Sequence, residues 1–250
     1  MYYHIIASGS KGNATVVVAN KTVILIDMGI TFIRLEEGLN EINLKPSDIT
    51  AAIFTHNHSD HINGLKFIPI KKQYALEGTL PSSGHNVLDL FKTVTIGDFK
   101  VTPIKSSHDA INPCGYVLED ENEKLVYLTD TGVFLEENVE HTKNPHYIIL
   151  ESNHDIQMLY QTNRPMYLKQ RIFSDVGHLC NEDSALACLQ IIGPNTKEIV
   201  LAHISEEANT PGKAIETYNK IFNYFKTDIT KFNLRCANQW KSLTGGCYED

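Results

Sequence analysis

No window of the 250 residues approaches the roughly 18 consecutive apolar residues that a membrane-spanning helix needs. Residues 1–9 have neither the basic start nor the long apolar stretch of a secretion signal. These two absences predict a cytoplasmic protein that does not engage membranes. Cysteine is sparse: Cys114, Cys180, Cys188, Cys236 and Cys247 are odd in number and form no Cys-x-x-Cys pair, which excludes a disulfide framework and a zinc ribbon. There is no internal repeat, and the loop Ser8-Gly9-Ser10-Lys11-Gly12-Asn13 lacks the Gly-Lys-Ser/Thr of a P-loop. A surplus of positive charge is also missing. Lys+Arg total 22 against 30 Asp+Glu, a net charge of −8, which argues against a surface coated for polyanions. Two bound dipositive ions would halve that charge, and residues 213–241 hold six basic residues against two acidic ones.

What is present is the composition of an ordinary globular protein, 42% hydrophobic and 21% charged, with a length that suits one domain over residues 1–250. β-Branched runs at Tyr2 to Ala7, Thr15 to Ala19 and Thr22 to Ile26 read as strands, the last two joined by a tight turn at Asn20-Lys21. Ile33, Leu35, Leu39 and Ile42 share one face of a short helix that Lys45-Pro46-Ser47-Asp48 ends. Further strands are expected at Ala51 to Thr55, Gln73 to Leu76, Thr93 to Ile96, Phe99 to Lys105, Gly115 to Leu118, Lys124 to Thr129, Tyr147 to Leu150 and Glu198 to Ala202. The second half adds a helix capped by Asn181 and running to Ile192, and one opened by Thr210-Pro211, with Ile215, Tyr218, Ile221, Phe222 and Phe225 on one side. Strands interleaved with helices predict an α/β unit whose sheets are covered by helices.

The densest chemical signal is Thr55-His56-Asn57-His58-Ser59-Asp60-His61, directly after an apolar strand. Packing three histidines and an aspartate together without a cation would desolvate several polar groups for no gain, whereas imidazole and carboxylate together suit zinc, manganese or iron. His108, Asp130 and His203 each lie just past another apolar strand, and strand ends on one edge of a sheet are where α/β proteins build sites.

The ordered set His-x-His-x-Asp-His, His108, Asp130, His203, preceded by Asp27 in Ile24-Leu25-Ile26-Asp27-Met28-Gly29, resembles the metallo-β-lactamase superfamily over nearly the whole chain. That resemblance implies a four-layer αβ/βα sandwich with two divalent metal ions, zinc or manganese and alternatively iron, at one edge. It implies that His56, His58 and His108 hold one metal, Asp60, His61 and His203 the other, that Asp130 bridges them, and that Asp27 orients a ligand. The segments Ser8–Ala14, Glu151-Ser152-Asn153-His154-Asp155, Gly177-His178-Leu179-Cys180-Asn181 and His203–Pro211 resemble the YycJ/WalJ family, regarded as DNA exonucleases and related to the β-CASP and ribonuclease Z/J nucleases. Cys180 stands where that family usually carries serine. Glu151 and His178 resemble the acidic residue and later histidine of the β-CASP enzymes, whose long inserted domain is absent here.

The expected activity is therefore a metal-dependent hydrolase acting on phosphodiesters of DNA, with Asp60 and His178 as catalytic residues. A water shared by two metals would become hydroxide near neutral pH and attack phosphorus, while His178 serves the leaving or a non-bridging oxygen. The helix after His178 would add the positive potential of its N-terminus, and Arg164, Lys169 and Arg171 could face a phosphate backbone. The alternative is a small-molecule ester hydrolase, such as a cyclic nucleotide phosphodiesterase, thioesterase or lactonase. An oxidoreductase is disfavoured because nothing after Phe225 is long enough for a flavin-binding domain.

Overall fold

The computed structural model describes residues 1–81 and 83–247. β1 (Tyr2–Ala7), β2 (Ala14–Ala19), β3 (Thr22–Ile26), β4 (Ala51–Ile53), β5 (Gln73–Leu76), β6 (Asn86–Leu88) and β14 (Leu243–Gly246) form one sheet in the order β14-β1-β2-β3-β4-β5-β6. β7 (Val94–Ile96), β8 (Phe99–Lys105), β9 (Cys114–Glu119), β10 (Lys124–Leu128), β11 (Tyr147–Glu151), β12 (Glu198–Ala202) and β13 (Asn233–Cys236) form the second, in the order β13-β12-β11-β10-β9-β8-β7. In both, an antiparallel set passes into a parallel one, at β3–β4 in the first sheet and β10–β11 in the second.

The strands alternate between two apolar environments instead of between core and water. Val17, Ala19, Ile24 and Ile26 face the space between the sheets, where they meet Phe99, Tyr116, Tyr127 and Tyr147. Val16, Val18, Val23 and Leu25 face outward onto Leu35 and Leu39 of α1 (Phe32–Asn40). On the second sheet Ile148, Leu150, Ile199 and Leu201 face Ala185, Cys188, Tyr218 and Phe222, which lie on α6 (Asn181–Ile191) and α7 (Pro211–Tyr224). Burial on both faces is why these strands read as unbroken apolar runs, and the result is the expected four-layer αβ/βα sandwich. Short helices α2 (Ser59–Ile62), α3 (Val139–Thr142), α4 (Ile156–Gln161) and α5 (Met166–Phe173) complete the chain.

Several local expectations change. β4 stops at Ile53, not Thr55, because the Thr55 amide donates to the Asp27 carboxylate instead of a neighbouring strand. Cys180, not Asn181, caps α6: its Sγ accepts from the Asp183 amide at 3.4 Å, while Asn181 sits inside the first turn and bonds Ser152 and Asn209. Phe225 lies beyond α7 and is 54% exposed. β6, β13 and β14 fall in segments with too little alternation to read, and α5 was not anticipated. The basic residues of 213–241 do not make a track. Lys213 and Lys220 pair with Glu216, Arg235 pairs with Glu198, and Lys226 and Lys231 lie beside Gly193 and Pro194.

Away from the strand ends that carry the histidines, Glu123 ties the β9–β10 turn to the start of β11 and β12. Burial raises its carboxyl, but hydrogen bonds from Lys197, the Met1 amine and Tyr147 outweigh that and bring it down to about 2. A carboxyl lowered by folding contributes stability above its unfolded value of about 4.5 and loses it as pH falls towards 2. Glu123→Gln is expected to lower the melting temperature at pH 7 and to leave it near wild type at pH 2, as read by thermal denaturation across pH. An equal deficit at both pH values would mean that packing, not charge, is what Glu123 supplies.

Candidate metal centre and active site

The chain leaves β4 at Thr55 and turns so that His56, His58, Asp60 and His61 converge, the last two on the single turn of α2. Asp27, fully buried at the end of β3, organises this turn. It accepts from the Thr55 amide at 2.8 Å and the Thr55 hydroxyl at 2.9 Å, and its Oδ2 lies 2.8 Å from His61 Nδ1. The close approach also depends on Gly29, where a Cβ would lie 1.6 Å from the carbonyl oxygen of Asp60. Gly29→Ala must therefore push the Asp60–His61 turn away, with an expected loss of about tenfold or more in metal affinity, the scale found when groups supporting ligands are disturbed, as read by titration with a competing chelator. Unchanged affinity would mean that the turn can slide without cost.

The other half comes from the second sheet. His108 follows β8; its Nδ1 lies 2.9 Å from the Gly177 carbonyl, which leaves Nε2 3.3 Å from His58 Nδ1 and 4.0 Å from Asp130 Oδ1. Asp130 follows β10 and His203 follows β12. Asp27, Asp130 and His203 all have positive φ, 60°, 56° and 52°, a conformation that costs a non-glycine residue about 1–2 kcal/mol. Each of these sharp reversals carries a side chain over the end of its strand, and such strain concentrates at functional sites.

Two triads result, His56–His58–His108 and Asp60–His61–His203, each with ligand atoms within 4.8 Å of one another. Asp130 reaches both: Oδ2 is 3.3 Å from His61 Nε2 and Oδ1 3.5 Å from His203 Nε2 in the second triad, and Oδ1 is 4.0 Å from His108 Nε2 in the first. Ligands about 2.1 Å from a tetrahedral ion are roughly 3.4 Å apart, so these separations suit metal coordination. His56 Nε2, His203 Nε2 and Asp130 Oδ2 are buried without a hydrogen-bond partner, a costly state that a cation would relieve. Charge agrees with geometry. Burial opposes a proton on His61, yet Asp27 and Asp130 outweigh it and raise the imidazole to about 10, and His203 is raised in the same way by Asp130, Asp60 and Glu151. The carboxylates demand positive charge where the ligands meet, and the mixed nitrogen and oxygen donors suit a divalent cation.

His178 and Glu151 join this cluster. Glu151 Oε1 is 2.7 Å from His178 Nδ1 and 3.1 Å from His203 Nδ1, and Oε2 accepts from the amides of Thr131 and Leu179. Burial raises the Glu151 carboxyl, but His178 and His203 outweigh it and bring it down to about 2, so it is a fixed anion. With Nδ1 held, Nε2 of His178 is the nitrogen left for the cleft, which measures about 290 Å³ and is lined by Ser10, His58, Asp60, His108, Asp130, Arg171, His178 and His203. A larger concavity of about 930 Å³ carries Glu136, Glu137 and Glu140 and shares no lining residue with this cleft.

Of the three expected basic residues, Arg171 lines the cleft while paired with Asp109, Arg164 pairs with Glu207, and Lys169 is buried with its Nζ donating to the carbonyls of Tyr160 and Thr162. Ser8 and Asn13 do more than their loop suggested: Ser8 Oγ accepts from the His203 amide at 2.8 Å, and Asn13 Nδ2 lies 3.0 Å from His61 Nε2. Asn153 also grips His203, donating to its carbonyl at 2.9 Å. Beyond the family resemblance of the Ser8 loop and of Glu151-Ser152-Asn153-His154-Asp155, nothing in the sequence points to these three roles.

Comparison with known proteins agrees with this architecture. The family described as the beta-lactamase superfamily domain matches residues 22–204. Exodeoxyribonuclease WalJ of Streptococcus pneumoniae serotype 2 (strain D39) is 37% identical over 222 residues, 83% of this chain and 82% of the relative. Exodeoxyribonuclease YycJ of Bacillus anthracis is 35% identical over 222 residues, 84% of each chain. The metallo-β-lactamase fold protein YhfI from Bacillus subtilis shares the fold at a TM-score of 0.71 and 15% identity, covering 98% of this chain and 100% of YhfI. With motif order, sheet topology and these relatives in accord, the chain belongs to the metallo-β-lactamase superfamily, in its WalJ/YycJ family.

Proposed function

We propose that the chain is an exodeoxyribonuclease, hydrolysing DNA phosphodiesters with two divalent cations, zinc or manganese, one held by His56, His58 and His108 and the other by Asp60, His61 and His203. The observation that carries the reading is that Asp130 is within reach of both triads, 3.3 Å from His61 Nε2 and 4.0 Å from His108 Nε2, with the Glu151–His178 pair beside it at an open cleft. The names of the WalJ and YycJ relatives support DNA as the substrate. Divalent cations bound by these residues would supply an activated water at neutral pH and would neutralise charge developing on the attacked phosphate.

The protein groups then have distinct tasks. Asp27 and Glu151 fix the rings of His61 and His203 through their Nδ1 atoms, which sets the Nε2 lone pairs inward. His178, oriented by Glu151, presents Nε2 to the departing oxygen or a non-bridging oxygen and donates a proton there. Arg171 flanks the cleft and offers its guanidinium to an adjacent phosphate once it exchanges from Asp109.

The test is elemental analysis of protein purified without chelator, followed by cleavage of end-labelled single- and double-stranded DNA with Mn²⁺, Zn²⁺ or Mg²⁺. About two metals per chain and progressive shortening from one end is the expected result. Intact DNA with turnover of a thioester or of bis(p-nitrophenyl) phosphate would transfer the site to small esters, and protein without metal would overturn it.

A further inference from the structure

A ligating imidazole is oriented through its second ring nitrogen, and a carboxylate there also makes it a stronger ligand. Four of the five histidines in the two triads are held in this way. Nδ1 of His61 meets Asp27 at 2.8 Å, Nδ1 of His203 meets Glu151 at 3.1 Å, Nδ1 of His108 meets the Gly177 carbonyl at 2.9 Å, and Nδ1 of His56 meets the Thr55 hydroxyl at 3.0 Å. His58 differs. Its Nδ1 is turned to His108 Nε2 at 3.3 Å, and among the described residues the charged group that faces its Nε2 is Asp109, whose Oδ1 stops short at 3.9 Å.

Asp109 is engaged elsewhere. Its Oδ2 accepts from Arg171 Nε, and its Oδ1 from Arg171 Nη2 at 2.9 Å. The Asp109 amide donates to the Val176 carbonyl, which fixes the backbone and leaves the carboxylate free to turn. Oδ1 also lies 3.6 Å from His108 Nε2, so the carboxylate already overlooks the first triad. Arg171 lines the cleft with its side chain half exposed, and an ion pair in such a place is weak and exchanges readily. A phosphate takes a guanidinium by the same two-pronged geometry as a carboxylate. The triads are also unequal in charge. His56–His58–His108 has no carboxylate of its own, whereas Asp60–His61–His203 contains one and has Asp27 and Glu151 behind its histidines. The three-histidine triad is therefore the weaker site, and the one that a further carboxylate changes most.

We infer that Asp109 is a relay between substrate and metal: an anionic phosphodiester in the cleft draws Arg171 away, and the released carboxylate turns to accept from His58 Nε2, tightening the first triad on its cation. This rests on the metal-dependent phosphodiesterase reading of the cleft. It adds that the weaker cation is fastened by the substrate itself, and that an uncharged ester, having nothing to draw Arg171, leaves it loose. Linkage makes the effect mutual, so the first cation raises affinity for the phosphodiester by the same factor.

The test reads metal affinity, not turnover. Cobalt(II) is titrated into the metal-free full chain against a competing chelator, alone, with dimethyl phosphate, an anionic diester too stable to be cleaved, or with its neutral counterpart trimethyl phosphate. Dimethyl phosphate is expected to tighten the weaker cobalt about tenfold, within the roughly 5- to 150-fold range of coupled sites, and trimethyl phosphate to leave it unchanged. In Asp109→Asn the gain is expected to fall below about twofold. Arg171→Met frees the carboxylate without substrate, so it is expected to hold the weaker cobalt about tenfold tighter from the start, a gain that misfolding cannot imitate. That gain is expected to vanish in the double variant Asp109→Asn/Arg171→Met, which separates a relay from the through-space charge of Arg171. No shift with dimethyl phosphate, an equal shift with trimethyl phosphate, a shift that survives in Asp109→Asn, or a gain that survives in the double variant would each overturn the relay and leave the nuclease reading intact. If the wild-type chain binds no cobalt, both readings fall.

Discussion

Asp130→Ala is expected to yield a folded protein that binds little metal and hydrolyses phosphodiesters at least about 10³-fold more slowly than wild type, because a carboxylate within reach of both triads would serve both proposed cations at once. The residue is the carboxylate within reach of both triads, 3.3 Å from His61 Nε2 and 4.0 Å from His108 Nε2. Folding survives because the cores between and outside the sheets are built without it. A companion variant separates ligation from backbone strain. At φ 56° alanine keeps the left-handed penalty and glycine does not, so Asp130→Gly is expected to melt higher than Asp130→Ala, by about 1 kcal/mol of stability, while both lack metal and activity. Metal analysis and thermal denaturation read the two effects, and full metal content in either variant would remove Asp130 from the centre.

The second large effect is of another kind. His178→Ala is expected to keep its metal and yet lose about 10²- to 10⁴-fold in kcat on DNA, the scale of an acid–base group. Metal is retained because neither triad includes His178, whose anchoring atom Nδ1 is taken by Glu151. Glu151→Gln is expected to look different: it also loosens His203 and the amides of Thr131 and Leu179, so metal affinity and kcat fall together. If His178→Ala loses metal in proportion to activity, the histidine supports the centre and does not transfer protons.

How much of this was readable follows from how local each signal is. The His56–His61 cluster lies in six consecutive residues, so its chemistry is visible without a fold, and His108, Asp130 and His203 are marked by the apolar strands before them. The grip of Ser8 on His203 joins positions 195 residues apart, and no periodicity encodes such a contact. β13 and β14 are short and partly exposed, with a glycine pair in β14, so propensity is silent where pairing with β12 and β1 decides. The cap of α6 lies one residue before the asparagine that capping preference favours, because tertiary bonds from Ser152 and Asn209 draw Asn181 inside and leave the end to the Cys180 thiol.

Tyr116 lies in the second sheet, fully buried, and its hydroxyl donates across the sandwich to the carbonyl of Phe54 at 2.6 Å, two residues before His56. The neighbouring Cys114 amide donates to the Thr55 carbonyl at 2.9 Å. The first sheet brings four of the seven candidate ligands and the second sheet three, so these rivets work as a gauge that sets the spacing between the two groups. Substrate scope and preferred metal can thus drift through mutations hidden in the interior, and two homologues with identical ligand sets need not share a chemistry.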